Sequence, residues 1–156
     1  MSVNAPKTPV DDDRLVDWSA VARGALLGLC VLIGASVIEA ILDRNVDSFN
    51  DSGWIYPLFV AILVGYGLGG WLAGRMVPDA FLTNGALAGV GAFVLWIPVR
   101  IIIWLVRDEN RGLFGGHSPA LRPGQLFGHL LIAAALGMLG GFIGSRPAAR
   151  ARRNAS

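Results

Sequence analysis

Two charged side chains, Glu39 and Arg100, interrupt stretches of sequence that are otherwise long runs of apolar residues. A charge at membrane depth is costly, and it usually faces the interior of a helix bundle or water. His129 lies in another apolar stretch, and a count along the helices places it at a similar depth. We therefore predict a polar cluster of Glu39, Arg100 and His129 in the outer half of a membrane bundle.

This cluster has two interpretations. In the first, Glu39 and Arg100 form a structural ion pair, or each side chain snorkels separately to the outer interface. In the second, the cluster binds an ion or carries protons. We favour the first interpretation.

Other reactive side chains do not form a recognisable site. The aspartates at positions 11–13 lie in a Pro-containing tail and are typical of a solvated run. His117 has no second ligand at metal-binding spacing, and Ser118 has no catalytic partners in a recognisable motif. The only cysteine, Cys30, excludes a disulfide within the chain. We expect no metal, no cofactor and no enzymatic activity.

The composition indicates which kind of element carries these residues. The chain is 54% hydrophobic and only 15% charged, whereas a soluble domain is about a quarter charged. A helix needs about 20 apolar residues to cross a bilayer, and four segments meet that length. We predict membrane spans at residues 21–42, 54–77, 80–106 and 123–145.

Proline residues mark most of the predicted boundaries. Pro78 separates the second and third spans, Pro123 begins the fourth, and Pro147 is expected to end it. Pro98 lies inside the third span, where we predict a kink. The predicted domains are a flexible tail at 1–19, a membrane domain at 20–146 and a basic tail at 147–156.

The distribution of basic residues predicts the orientation. An even number of spans puts both termini on one side, together with the short loop at Arg75. That side holds eight basic residues and the other side four. Because basic residues favour the cytoplasmic side, we expect both termini in the cytoplasm. Tryptophan and tyrosine should then form interfacial belts, with Trp54, Tyr56, Trp96 and Trp104 at the outer face.

The sequence also contains two similar halves. The motif GALxG begins at Gly24 and again at Gly85, 61 residues later. The motif LGGxxxxR begins at Leu68 and again at Leu139, 71 residues later. A unit of two spans returns the chain to its starting side, so we predict two parallel tandem repeats. The alternative is chance similarity between Gly- and Ala-rich helices.

Small residues spaced four apart should allow close packing of the helices. In lipid, helices associate through close packing, which small residues permit. We predict that these positions pack the cytoplasmic half of the bundle: Gly24, Gly28, Gly69, Ala73, Gly85, Gly89, Gly140 and Gly144.

The motifs GALxG and GGxxAGR, with the short loop that follows, resemble a broad group of small four-span bacterial membrane proteins of unknown function. The resemblance covers about residues 24–146. It implies the four-span fold, and it implies neither an activity nor functional residues.

The sequence favours a non-enzymatic accessory or organising component of the bacterial cytoplasmic membrane. The alternative is a transporter or channel subunit that acts as an oligomer, with Glu39 and Arg100 in a polar cavity. We expect anionic lipid to contact the basic C-terminal tail. Homo-oligomers or other membrane proteins are further possible partners, and no nucleic acid is expected.

Overall fold

The computed structural model describes residues 16–46, 53–106 and 123–153, and these residues form four long α-helices. The helices are α1 (Trp18–Asn45), α2 (Ile55–Met76), α3 (Phe81–Val106) and α4 (Pro123–Arg153). A 3-10 turn, Pro78–Ala80, joins α2 to α3. The all-α, four-helix fold predicted from the sequence is confirmed. Residues 1–15 of the predicted tail, and the loop residues His117 and Ser118, lie outside the described residues.

All four helices are long and apolar enough to cross a membrane. Only 22% to 28% of the residues in each apolar window are buried inside the bundle. Large apolar side chains such as Val60, Ile102 and Leu131 are therefore exposed on every outer face. Patches of that extent are unusual on a monomeric soluble protein. The chain is a multi-pass membrane protein.

The first helix begins three residues earlier than predicted because Asp17 caps it. The Asp17 carboxylate accepts hydrogen bonds from the backbone N–H groups of Ser19 and Ala20, at 2.8 and 3.1 Å. These bonds satisfy two of the amide donors that a helix start leaves without partners. At the other end, the Asn45 amide donates to the carbonyl oxygen of Ile41 at 2.7 Å.

The fourth helix extends beyond the predicted membrane span, which ends at residue 145. The helix continues through Pro147 to Arg153, so the segment predicted as a tail at 147–156 is helical over residues 147–153. A proline inside a helix removes one backbone donor and displaces the carbonyl of the fourth preceding residue, here Ile143. That cost does not end the helix at this position.

The third helix is helical on both sides of Pro98. The structure therefore places this proline inside the helix, as the sequence predicted. The kink at Pro98 stays a prediction.

The helices are arranged in the order α1, α2, α4, α3 around the bundle. Neighbours in this order pack together, and α2 also contacts α3 across the centre. Helices α1 and α3 begin at one end of the bundle, where α2 and α4 finish. We call this end the terminal end and the opposite end the far end.

The centre of the bundle is filled by one or two side chains from each helix. Leu32, Tyr66, Ala92, Phe93 and Ala133 form this core, and each is at most 4% exposed. The core lies between the glycine-rich terminal half and the segments that carry Glu39, Arg100 and His129, so it separates the two regions.

Candidate functional site

Glu39 lies on the stripe of α1 that faces the bundle interior. It follows Ser36, Ala35 and Leu32 by three, four and seven residues, and all three are buried. Residues at these spacings share one face of a helix. Glu39 is half-buried, as its position on this stripe leads one to expect.

Arg100 holds the corresponding position on α3. It follows Phe93, Trp96 and Ile97 by seven, four and three residues, and these side chains belong to the core or pack against it. Arg100 is also half-buried. Both predicted intramembrane charges therefore extend interior-facing stripes toward the far end.

The packing register shows how Glu39 and Arg100 lie along the bundle. An added Cβ on Gly24 would lie 2.9 Å from the Cβ of Ala88, and one on Gly28 would lie 2.9 Å from the Cβ of Ala92. Neighbouring positions on α1 and α3 therefore differ by 64 in number. Glu39 is then about one helical turn closer to the far end than Arg100. Within the described residues, no hydrogen bond or ion pair joins the two side chains, and the polar cluster stays a prediction.

His129 belongs to a chain of contacts across three helices. Its ring centroid lies 6.4 Å from that of Phe93, which lies 6.4 Å from that of Trp96. The indole N–H of Trp96 donates to the Ser36 hydroxyl oxygen at 3.1 Å. We call Ser36, Trp96, Phe93 and His129 the aromatic layer. It connects α1, α3 and α4 at the level where the core ends and the charged residues begin.

Trp96, predicted to lie in an outer aromatic belt, faces the neighbouring helices, and the belt itself stays a prediction. Its ring packs against the core, and its N–H is bonded to Ser36 on the neighbouring helix. A buried indole commonly finds a hydrogen-bond partner of this kind. In contrast, Trp54 and Tyr56 are 54% and 75% exposed. Spacing offered one signal, because Trp96 follows Ala92 by four residues on the interior stripe.

A second polar contact, which the sequence did not reveal, lies at the terminal end. Asn84 is fully buried, and its side-chain oxygen accepts a hydrogen bond from the backbone N–H of Asp17 at 2.8 Å. Its side-chain nitrogen donates to the carbonyl oxygen of Ala80 at 2.9 Å. Asn84 thereby fixes the start of α1 to the first turn of α3, and a lone asparagine beside a GAL motif gave no signal of this role.

The small residues predicted to pack the helices of the first repeat, α1 and α2, lie at contacts of α1 with α2 and α3. An added Cβ on Gly24 would meet the carbonyl oxygen of Gly69, and an added Cβ on Gly69 would lie 2.8 Å from the carbonyl oxygen of Gly24. Ala73 is fully buried beside Gly24. A Cβ on Gly28 would lie 3.0 Å from the carbonyl oxygen of Gly65. No larger residue fits at these glycines unless the helices move apart.

The small residues predicted for the second half lie against the backbones of neighbouring helices. Added Cβ atoms on Gly85 and Gly89 would meet backbone atoms of α4, and those on Gly140 and Gly144 would meet backbone atoms of α2. The packing of α4 is therefore divided, with one glycine row toward α3 and another toward α2.

The contact between α2 and α4 is reciprocal. An added Cβ on Gly70 would meet the carbonyl oxygen of Gly137, and one on Gly140 would meet that of Gly67. One helical turn further, Gly74 meets Gly141 and Gly144 meets Trp71 in the same way. Adding 70 to an α2 residue number gives the α4 residue in the matching position, so that Gly70 corresponds to Gly140 and Gly67 to Gly137. This offset is one residue shorter than the 71 residues between the two LGGxxxxR motifs, and α2 contacts α3 across the centre without an equal contact of α1 with α4. The symmetry is therefore local to α2 and α4, and the tandem repeat stays a prediction.

The two LGGxxxxR motifs end in similar aromatic–arginine pairs. The Arg75 guanidinium carbon lies 5.5 Å from the centroid of the Trp71 ring, and that of Arg146 lies 4.5 Å from the centroid of the Phe142 ring. A cation over an aromatic face is attracted by the negative potential of the ring. Both arginines are exposed, so each is positioned at the terminal end without being removed from solvent or headgroups.

Two apolar grooves open on the outer faces. One, of about 280 Å³, lies between α1 and α3, with Arg44 at its far end. The other, of about 290 Å³, lies between α2 and α4 and extends to Trp71. Neither groove is lined by Glu39 or Arg100. Among the described residues, no group of three or more His, Cys, Asp or Glu side chains is placed to hold a metal ion.

Comparisons with known proteins give no indication of the function. No protein-family model matches the chain, and no similar protein is found among curated proteins or among solved structures. The structure and sequence together show a four-helix integral membrane protein.

Proposed function

We propose that the chain is a non-enzymatic accessory or organising component of a bacterial cytoplasmic membrane. The observation that carries this proposal is the filled centre of the bundle. Leu32, Tyr66 and Phe93 come from three different helices and meet there, almost fully buried. A single copy therefore offers its outer surface, and not an interior path, to other membrane components.

The outer surface supports such a role. Exposed apolar side chains lie on all four helices, and shallow grooves lie between α1 and α3 and between α2 and α4. A second copy or another membrane helix can pack against these exposed apolar side chains by close contact, which is how helices associate in lipid.

The proposed orientation places both termini in the cytoplasm. It rests on the excess of basic residues on the side of the bundle that holds the terminal end, eight against four. The basic C-terminal segment directly follows the fourth span, because α4 continues as a helix to Arg153. Anionic headgroups are the proposed contact of this segment, because basic residues beside a bilayer are attracted to them.

Site-specific photocrosslinking in cells tests the organising role. A photoreactive residue would replace Val60, Leu131 or Leu26 in turn, each more than half exposed on a different helix. The proposal expects discrete protein–protein crosslinks from some of these faces and none without irradiation. Crosslinks to lipid alone from every face would contradict it.

The second candidate is a transporter or channel subunit that acts as an oligomer. It is favoured by one observation, that Glu39 and Arg100 are half-buried on interior-facing stripes near the far end. Several copies together would be needed to form a pore around these side chains.

Ion flux in proteoliposomes separates the two candidates. The accessory role expects flux no greater than in protein-free vesicles. Flux that is present in the wild type and lost in the Glu39→Gln variant would establish the transporter role instead. The Asp17→Asn variant is the matched control, because it also neutralises one carboxylate, at the opposite end of α1, and keeps the side-chain oxygen that caps the helix.

A further inference from the structure

The apolar groove between α2 and α4 ends beside two arginines. Its sides are formed by Leu68, Leu139 and Ile143, and Gly67 and Gly140 lie at its base. An added Cβ on Gly67 would meet nothing within 4 Å. The groove is therefore open at this glycine.

Both arginines follow the groove residues by about one helical turn. Arg75 follows Trp71 by four residues and Arg146 follows Ile143 by three, so they continue the faces that line the groove. The contact of Arg75 with the Trp71 ring holds one guanidinium at the end of the groove. The Arg146 guanidinium lies over the ring of Phe142, which packs against Phe81 and does not line the groove, so Arg146 reaches the groove through its exposed side chain from the adjacent face of α4.

We propose that this groove binds one acyl chain of an anionic phospholipid, whose phosphate lies between Arg75 and Arg146. The proposal rests on the membrane location alone and on neither candidate function. The lining side chains match the chemistry of the acyl chain, and guanidinium groups present donors that match phosphate oxygens. The two chemistries occur in the order, and at the relative depth, that a lipid has in its leaflet.

Charge also argues against a second copy of the chain in this groove. A symmetric dimer across it would bring four arginine side chains, two from each copy, to one level. Like charges repel, and an anionic headgroup neutralises them. The lipid is therefore the occupant that the charge pattern fits.

Fluorescence quenching by brominated lipids tests the proposal directly. Protein freed of lipid in a neutral detergent is titrated with brominated phosphatidylglycerol or with brominated phosphatidylcholine. The signal from Trp71 is the difference between the wild type and the Trp71→Phe variant. We expect quenching of Trp71 at a mole fraction of phosphatidylglycerol on the order of tenfold lower than that of phosphatidylcholine, because each basic residue near a lipid surface contributes about a factor of five.

Matched variants separate the headgroup site from the groove. The Arg75→Gln/Arg146→Gln double variant should equalise the two lipids, whereas Arg23→Gln, an exposed arginine on α1 at the same end, should retain the preference. Gly67→Leu should reduce quenching by both lipids. Gly34→Leu should not, because Gly34 also has open space at its Cβ but lies on α1.

Other results would overturn the proposal. Equal quenching by the two lipids in the wild type would exclude a headgroup site. Unchanged quenching in Gly67→Leu would exclude the groove as the place of the chain. Competition by soluble glycerophosphoglycerol as strong as by the intact lipid would show a phosphate site that needs no acyl chain. None of these results changes the expectations for crosslinking or flux, so the two proposals fail independently.

Discussion

A glycine in this bundle has one of two roles, which depend on what lies beyond its Cα atom. Gly70 lies against the backbone of Gly137, so a side chain at this position would force α2 and α4 apart. Gly34 and Gly67 have open space at the same position. Gly34 and Gly67 have no glycine or alanine four positions away, which agrees with the predicted role of that spacing. Gly124 and Gly128 are spaced four apart and still have open space, so spacing alone does not distinguish the two classes.

The two classes should respond to alanine with opposite signs. Gly34→Ala is expected to raise the free energy of unfolding by about 0.5–1 kcal/mol, since alanine has the higher helix propensity. Gly70→Ala is expected to lower it by about 1–3 kcal/mol, because the added methyl overpacks a backbone contact. Equilibrium unfolding of the purified protein in mixed micelles measures both. A destabilisation of equal size at the two positions would show that packing is not the cause.

The hydrogen bond from Trp96 to Ser36 should make a measurable pairwise contribution. In a double-mutant cycle of Ser36→Ala and Trp96→Phe, we expect a coupling energy of about 0.6 kcal/mol, the average for such bonds between membrane helices. Ser36→Ala combined with Trp54→Phe is the control, because the exposed Trp54 lies on α2 and should show no coupling. A coupling of zero in the first cycle would remove the aromatic layer as a stabilising contact.

Sequence reasoning at the residue scale found the charges but not their neighbours. Glu39 and Arg100 were evident because charges are rare in apolar segments, and the structure places both on interior stripes. The partners of Trp96 and Asn84 were not evident, because a hydrogen bond between residues 60 or more positions apart depends on the register of two helices. Composition and spacing do not fix that register.

At the scale of the helices, the observed bounds show where helix-breaking residues and hydropathy were sufficient to predict a helix end. The bounds of α2 and α3 agree with the prediction within one residue at each end, because breakers flank both. Helix α1 extends three residues beyond the prediction at each end, and α4 extends eight beyond it. Hydropathy marks where a span meets water, but a helix that leaves the membrane continues as long as its backbone bonds are satisfied.

The contribution of the Asp17 cap to the start of α1 can be tested by substitution. Asp17→Ala removes the acceptor of the Ser19 and Ala20 amides, and a lost cap costs about 1 kcal/mol. We expect hydrogen exchange of these two amides to become about fivefold faster. Asp17→Asn should behave as the wild type, because it keeps a capping oxygen. The bond from the Asp17 backbone to Asn84 is present in all three proteins, so faster exchange throughout α1 would contradict a local role.

At the scale of the whole molecule, the number of spans was predictable but the order of the helices around the bundle was not. Four apolar segments follow from length and hydropathy. The contact between α2 and α4 depends on which glycine-lined helix faces pack together. In this structure Gly140 and Gly144 of α4 lie against the backbone of α2. Several orders of four similar helices satisfy the same sequence pattern.

The proposed orientation predicts the behaviour of reporter fusions. A fluorescent protein fused to the C-terminus should fluoresce, and alkaline phosphatase at the same position should be inactive, because the basic terminal side stays in the cytoplasm. Fusions to a chain truncated after Val46 should give the reverse result, since α1 then ends at the far side. Active phosphatase at the full-length C-terminus would reverse the assignment of both ends.

The uninterrupted course of α4 has a mechanical consequence. Seven residues of the predicted basic tail, 147–153, belong to the same helix as the core residue Ala133. They extend about 10 Å from the bundle at 1.5 Å per residue. A ligand that grips this projecting rod would exert torque on the row of glycines that faces α2. A force applied to this segment outside the bilayer would therefore act on the close backbone contact between α4 and α2, because a continuous helix is stiffer than a flexible tail.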